Sequence, residues 1–268
     1  ALSGGGARGA AHIGVLKVLE ELCIPIECIA GTSMGSIVGG MYALGMTPSE
    51  IEALIATIDW SDAFVDDMPR GGRSFRRKRD DDFYLVRRRP GISGFALRFP
   101  PGILTGQKID LLLKRHTQPA IGVRDFDDLG IPYRAVATDI ETGEMAVLAA
   151  GDLALAIRAS MSIPIVFAPR EIGGRLLVDG GVANNLPIDV VRDMGADIVI
   201  AVDISTPLAR RDQIVSVLDI TDQITTILTR RASDLQIGTL TGGDILIAPD
   251  LGEITTASFG RAVEAVPL

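Results

Sequence analysis

Apolar positions recur along this chain with two periods, one helical and one alternating, and the switches between them outline its elements. After Leu2-Ser3 and a run of glycines, Ala10-Ala11-His12-Ile13-Gly14-Val15-Leu16-Lys17-Val18-Leu19 has helical spacing, which predicts strand, glycine loop and helix. Ile26 to Ala30 reads as a strand and Ser36 to Leu44 as the helix that follows it. Thr47-Pro48-Ser49-Glu50 is a helix-start signature continued by Ile51 to Ile58, and Ile109 through Arg115 is amphipathic. Tyr133 to Asp139 alternates as a strand, with Glu141 to Glu144 as a turn and Met145 to Leu148 as its partner. Asp152 caps a helix to Ser160 that stops before Ile163-Pro164. Val166 to Ile172, a Gly173-Gly174 turn and Arg175 to Val178 form a hairpin that delivers Asp179-Gly180-Gly181. Asn184-Asn185-Leu186-Pro187 opens a helix to Met194, and Asp197 to Val202 is a near-continuous apolar run, as in a strand covered on both faces.

The last third carries a less ordinary pattern. Ile214 to Leu240 reads as one long helix with two apolar stripes, the first made of Ile214, Val217, Leu218, Ile224, Leu228 and Leu235, the second of Ile220, Ile227, Ile237 and Leu240. One stripe is expected to face the core. The second then marks another core face, a homodimer contact, a membrane-facing surface or a partner domain. Asp244 to Ala248 is a last strand and Phe259 to Val266 a terminal helix.

Composition adds bounds. With 268 residues, 47% hydrophobic and 22% charged, the chain can bury one core, and 1–268 is read as a single α/β domain. The net charge of −8 argues against a nucleic-acid partner. Residues 70–106 depart from that balance: Arg70, Arg73, Arg76, Arg77, Lys78, Arg79, Arg87, Arg88, Arg89 and Arg98 stand against Asp80, Asp81 and Asp82. This stretch reads as an insertion, either a solvated one or a basic patch that meets anionic headgroups, with Gly91 to Gly106 as a flap over an apolar channel. No apolar stretch reaches the roughly 18 residues of a membrane span, so the chain as given is expected to be soluble. Cys23 and Cys28 are too few for a structural metal site and read as buried small hydrophobes.

Candidate chemistry begins at Gly31-Thr32-Ser33-Met34-Gly35, a G-x-S-x-G pattern between a predicted strand and a predicted helix. That context suits a nucleophile elbow with Ser33 as nucleophile, although a small-residue turn would carry the same letters. The glycine loop Gly4-Gly5-Gly6-Ala7-Arg8-Gly9 suits either a phosphate cradle or an oxyanion hole. No Lys-Ser/Thr pair follows the glycines, as a P-loop needs, and no acid ends a second strand at dinucleotide spacing. Histidine counting narrows the mechanism further. His12 and His116 are the only two, neither lies beyond the C-terminal acids, and a triad in the order Ser, acid, His is excluded. His12 is expected to support the loop and His116 to end a helix. Asp179, at the end of an apolar strand before two glycines, is the favoured acid against the plain reading of an Asp-Gly turn.

Taken together, the loop Gly4 to Gly9, the Ser33 elbow and Asp179-Gly180-Gly181 resemble the patatin-like phospholipase family. Ala159-Ser160-Met161-Ser162-Ile163-Pro164 and Ala137-Thr138-Asp139 also resemble family segments, so the resemblance covers nearly the whole chain. It implies a three-layer α/β/α fold with a mostly parallel sheet and the acid on a β-hairpin in the C-terminal half. It implies a lipid acyl hydrolase, of phospholipase A or lysophospholipase type, working through an acyl-enzyme without metal or cofactor. Ser33 matches the nucleophile, Asp179 the base, and Gly4, Gly5, Gly6 and Arg8 the oxyanion loop. Met34 joins them because the residue after an elbow nucleophile offers its N–H. A carboxylate base leads to the expectation that activity shows no inflection near neutral pH. The implied partners are a phospholipid or other lipid ester and a membrane surface, met through Arg76, Arg77, Lys78 and Arg79. Segments around those residues and from Ser160 to Gly181 are similar to secreted bacterial patatin-like proteins joined to an outer-membrane barrel. A cytoplasmic bacterial member with peripheral membrane contact is the alternative location. Acyl transfer by the same dyad, or a non-catalytic anionic-lipid-binding module, are the alternative functions.

Overall fold

Tyr133–Asp139 is the strand on which the rest of the molecule is ordered, and its alternation explains the layers. Tyr133, Ala135 and Ala137 enter one apolar cluster with Ile13, Val38, Met41, Leu113 and Ile157, while Val136 enters a second with Ala30, Leu186, Val190, Val199 and Ala201. A strand with apolar residues on both faces must be covered on both. The computed structural model describes residues 1–66, Phe75, 91–93, 96–98 and 104–267. Its strands are β1 Ile29–Thr32, β2 Gly91–Ser93, β3 Ala96–Arg98, β4 Tyr133–Asp139, β5 Met145–Leu148, β6 Arg170–Ile172, β7 Arg175–Asp179, β8 Ile200–Val202 and β9 Ile245–Ile247. The helices are α1 Ala11–Glu21, α2 Met34–Ala43, α3 Pro48–Thr57, α4 Trp60–Ala63, α5 Gln107–His116, α6 Leu153–Ser160, α7 Ile188–Asp193 and α8 Val217–Ile237. The first five helices and α6 supply the first cluster, and α7 the second, which completes a three-layer α/β/α fold.

The sheet is mixed rather than mostly parallel: among the described residues two of its strand pairings are parallel and three antiparallel. β9 pairs with β8, Leu2 bridges Val202 of β8 to Gly31 of β1, and β1 pairs with β4, all in the same direction. Beyond β4 the direction changes. β5 and β7 both pair antiparallel with β4, and β6 closes a hairpin on β7. A strand has two edges, and β5 covers positions of β4 that overlap those taken by β1 and by β7. β1 and β7 therefore share the other edge, end to end: Thr32 lies opposite Val136, and Asp179 opposite the next residue, Ala137.

Three expectations are corrected. In α8 an apolar face drawn from parts of both stripes looks outward, with Ile220, Ile224, Ile227, Leu228 and Leu235 all exposed. Thr226 and Ser233, on the opposite face at about 100° per residue, are buried instead. Ser233 can turn inward because it is bonded there, its Oγ accepting from Asn185 Nδ2 at 3.0 Å, and half-buried Gln236 accepts the Asp189 N–H at 3.2 Å through Oε1. Ile237 and Leu240 do pack on the second cluster. Cys23 is exposed and Cys28 half-buried, so neither is the buried hydrophobe expected. The segment from Phe259 to Ala265 is a 3₁₀ turn rather than an α-helix. Arg76, Arg77, Lys78 and Arg79, and much of the expected flap, lie outside the described residues. Among the described residues no helix is long and apolar enough to cross a membrane.

Candidate active site

Ser33 occupies the single position between the end of β1 and the start of α2, with φ 52° and ψ −118°. A non-glycine residue at positive φ is strained, and such a turn persists only where its surroundings enforce it. The flanking glycines remove the obstacles. A Cβ on Gly31 would stand 2.3 Å from the Gly35 carbonyl oxygen, and one on Gly35 would stand 2.3 Å from that of Leu2. The first turn of α2 thus packs directly against the strand before it, and the serine is lifted into the bend.

Asp179 is brought to the same place by β7. Its Oδ1 accepts the Gly181 N–H at 2.8 Å, its backbone N–H donates to Ser162 O at 2.9 Å, and its carbonyl accepts Thr138 Oγ1 at 2.9 Å. Burial pushes its carboxyl up to about 6. The Ser33 side chain, its hydrogen-bonding neighbour, and the Gly181 N–H pull the other way, less strongly. An inflection near pH 6 is therefore expected from the aspartate itself. This departs from the expectation of a profile without one near neutrality, since burial puts the carboxyl itself near 6.

The glycine loop faces these two groups. Gly4 donates its N–H to Asn185 O at 3.1 Å and Ala7 to Thr256 O at 2.9 Å. Among the described residues no protein acceptor takes the N–H of Gly5, Gly6 or Met34. Gly6 holds φ 56°, and a Cβ there would stand 2.3 Å from Thr256 O, so the close approach of the two loops requires glycine. Arg8 goes elsewhere. Its buried guanidinium donates to Ile204 O at 2.9 Å and Ile254 O at 2.6 Å, bracing two loops behind the glycines, and the cavity lining does not include it. Burial lowers the Arg8 pKa, against the pull of Asp203 and Asp250. His12 is fully buried, which lowers it to about 4, and as a neutral ring it places Nε2 at 2.8 Å from Ser3 O, in a loop-supporting role.

A cavity of about 340 Å³ opens over the site. Phe64, Ile163, Pro164, Val166, Phe167 and Phe259 give it an apolar side, and Asn185, Ser205, Thr206, Asp222, Thr225, Thr226 and Thr229 a polar side dominated by α8. A second cavity of about 350 Å³, around Leu2, Cys28, Ile29, Met194 and Ile200, contains neither the glycine loop nor Ser33 and Asp179. The chemistry selects the first. Among the described residues no group of three or more His, Cys, Asp or Glu side chains could hold a metal ion.

Sequence reasoning did not single out Thr138, Ser160 or Asn185. Asn185 Nδ2 donates to Ser233 Oγ, Ser205 Oγ and Gly4 O, tying α8 to the glycine loop. The available signal was the run of small and polar residues after each helix or strand end, at Ser160 to Ser162 and Asn184-Asn185.

The family model described as patatin-like phospholipase matches residues 1–192. A patatin-like phospholipase domain-containing protein of Caenorhabditis elegans is 36% identical over 209 residues, 76% of this chain and 13% of the relative. An uncharacterized NTE family protein of Mycobacterium tuberculosis is 38% identical over 205 residues, 76% of this chain and 48% of the relative. The chain thus spans less than half the length of these curated relatives. Among solved structures, VipD from Legionella pneumophila has a TM-score of 0.52 at 17% identity, over 99% of this chain and 64% of VipD.

Proposed function

We propose that this chain, which belongs to the patatin-like phospholipase family, is the catalytic domain of a lipid acyl hydrolase that works with Ser33 as nucleophile and Asp179 as base. Ser33 Oγ attacks the ester carbonyl while its proton passes to Asp179, and the N–H groups of Gly5, Gly6 and Met34 receive the developing oxyanion. Collapse of that intermediate breaks the ester C–O bond, and the proton held on Asp179 goes to the leaving alcohol. Water then attacks the acyl-enzyme, giving its proton to Asp179, and the fatty acid leaves as Ser33 recovers its hydrogen. The observation that carries this reading is the meeting of β1 and β7 on one edge of β4, with a desolvated carboxyl beside a strained serine. A carboxylate at about 6 is a better proton acceptor than one at its ordinary 3.8, and unbonded N–H donors supply the remaining stabilisation.

The cavity supports an amphiphilic substrate, with the acyl chain along Phe64, Phe167 and Phe259 and the alcohol portion toward the α8 threonines. We take that substrate to be a phospholipid or related ester drawn from a membrane surface, because α8 turns its apolar face outward beside the site. The test is hydrolysis of a fluorogenic glycerophospholipid and a short-chain ester by wild type, Ser33→Ala and Asp179→Asn, each checked for folding. Loss of nearly all activity in both variants supports the dyad. An inert wild type, or an active Ser33→Ala, refutes it.

A further inference from the structure

We propose that Ser160 is a positioning residue: its hydroxyl holds the nucleophile in its strained conformation, and the tripeptide Ser160-Met161-Ser162 sets the reach between Ser33 and Asp179. The inference rests on the reading of those two residues given above. As Ser33 leaves the β1 ladder at positive φ, its N–H no longer points at a backbone acceptor in β4. Ser160 Oγ takes that N–H at 2.9 Å and passes its own proton to Val136 O at 2.6 Å. Val136 is the last residue of β4 paired with β1, and the next is paired with Asp179. The hydroxyl therefore fills the seam where the β4 ladder passes from one partner strand to the other.

The opposite end of the tripeptide holds the acid, since Ser162 O accepts the Asp179 N–H at 2.9 Å. The tripeptide is itself anchored. Arg158, 1% exposed, donates from Nη1 to Ser162 Oγ at 2.7 Å and pairs with Asp110 at 2.9 Å, while its guanidinium carbon lies 4.5 Å from the centre of the Phe167 ring. Ser160 and Ser162 are fully buried. Removing the Ser160 hydroxyl leaves one buried donor and one buried acceptor without their partner, and frees Ser33 to relax from φ 52°. A displacement of about 1 Å in a reacting group costs on the order of a hundredfold in rate.

The experiment compares Ser160→Ala, Ser160→Thr and Ser160→Cys with wild type, reading kcat and KM on the short-chain ester, the rate of covalent labelling by a fluorophosphonate, and the melting temperature. For folded Ser160→Ala, kcat and labelling should fall by about a hundredfold with KM within about twofold, since the loss is confined to the reacting geometry. Ser160→Thr, which keeps the hydroxyl, should recover most of both rates. Folded Ser160→Ala with kcat and labelling within threefold of wild type overturns the proposal, as does folded Ser160→Thr no better than Ala. If Ser160→Ala does not fold, Ser160→Cys decides by the same two rates, its thiol being a weak donor and acceptor. A wild type that neither labels nor hydrolyses refutes the dyad itself, a result distinct from failure of the Ser160 assignment.

Discussion

Replacing Asp179 by Asn should remove activity and, above pH 6, raise stability. The native carboxyl holds its proton up to about pH 6, whereas in the unfolded chain it loses it near 3.8. Between those values the native state binds one proton more than the unfolded state, so the stability of the wild type falls as pH rises through this window. A shift of about two pH units corresponds to about 3 kcal/mol, present in full below pH 4 and lost above pH 6. An amide does not ionise, and its oxygen can still accept the Gly181 N–H that Asp179 Oδ1 takes at 2.8 Å. The stability of Asp179→Asn relative to wild type should therefore grow by about 3 kcal/mol from pH 4 to pH 7.5, or roughly 6–12 °C in melting temperature for a domain of this size. Urea unfolding of both proteins across that range measures it, and every other titrating group cancels in the difference. A difference that stays flat with pH would refute the reasoning, because the buried carboxyl would then not be the group under strain.

Three further outcomes follow from the same site. The pH profile of kcat/KM should rise to a plateau with an inflection near 6 that hardly moves with temperature, because a carboxylic acid ionises with little heat and an imidazole does not. Gly6→Ala, whose Cβ would stand 2.3 Å from Thr256 O at a positive φ, should displace the loop and lower kcat by about two to three orders of magnitude, the cost of a lost oxyanion donor. Circular dichroism checks that the fold is kept. The double change Ile224→Asp and Ile227→Asp on exposed α8 positions should weaken sedimentation with phospholipid vesicles by at least tenfold, about 1.4 kcal/mol, and leave short-ester hydrolysis unchanged.

Features written in neighbouring residues were legible in the sequence. The elbow around Ser33, the hairpin before Asp179 and the paucity of histidines all follow from local spacing or counting. Features that depend on register were not. Nothing near Ser33 or Asp179 states that their strands share one edge of β4, since β1 pairs with residues more than a hundred positions further on and β7 with residues about forty positions back. The bracing by Arg8 was not legible for a related reason: the carbonyls it braces belong to Ile204 and Ile254, far along the chain. Periodicity found both stripes of α8 but could not say which side looked inward, because that depends on the polar partners Asn185 and Asp189 supplied by another segment. The upward direction of the Asp179 shift was legible from its place at the end of an apolar strand, but its extent belongs to the packed surroundings.

The end-to-end arrangement of β1 and β7 acts as a ruler. One residue step of β4 fixes how far apart the two reacting groups stand, and a slip of one residue would move the acid by about 3.3 Å and turn it to the opposite face. The helix α3, between β1 and β4 in the chain, lies off that ruler. Such segments can lengthen, shorten or change composition, and so alter what reaches the cavity, while the separation at the seam stays the same. The fold thereby divides labour between a short measured core that keeps the reaction and long connections free to vary the molecules admitted to it.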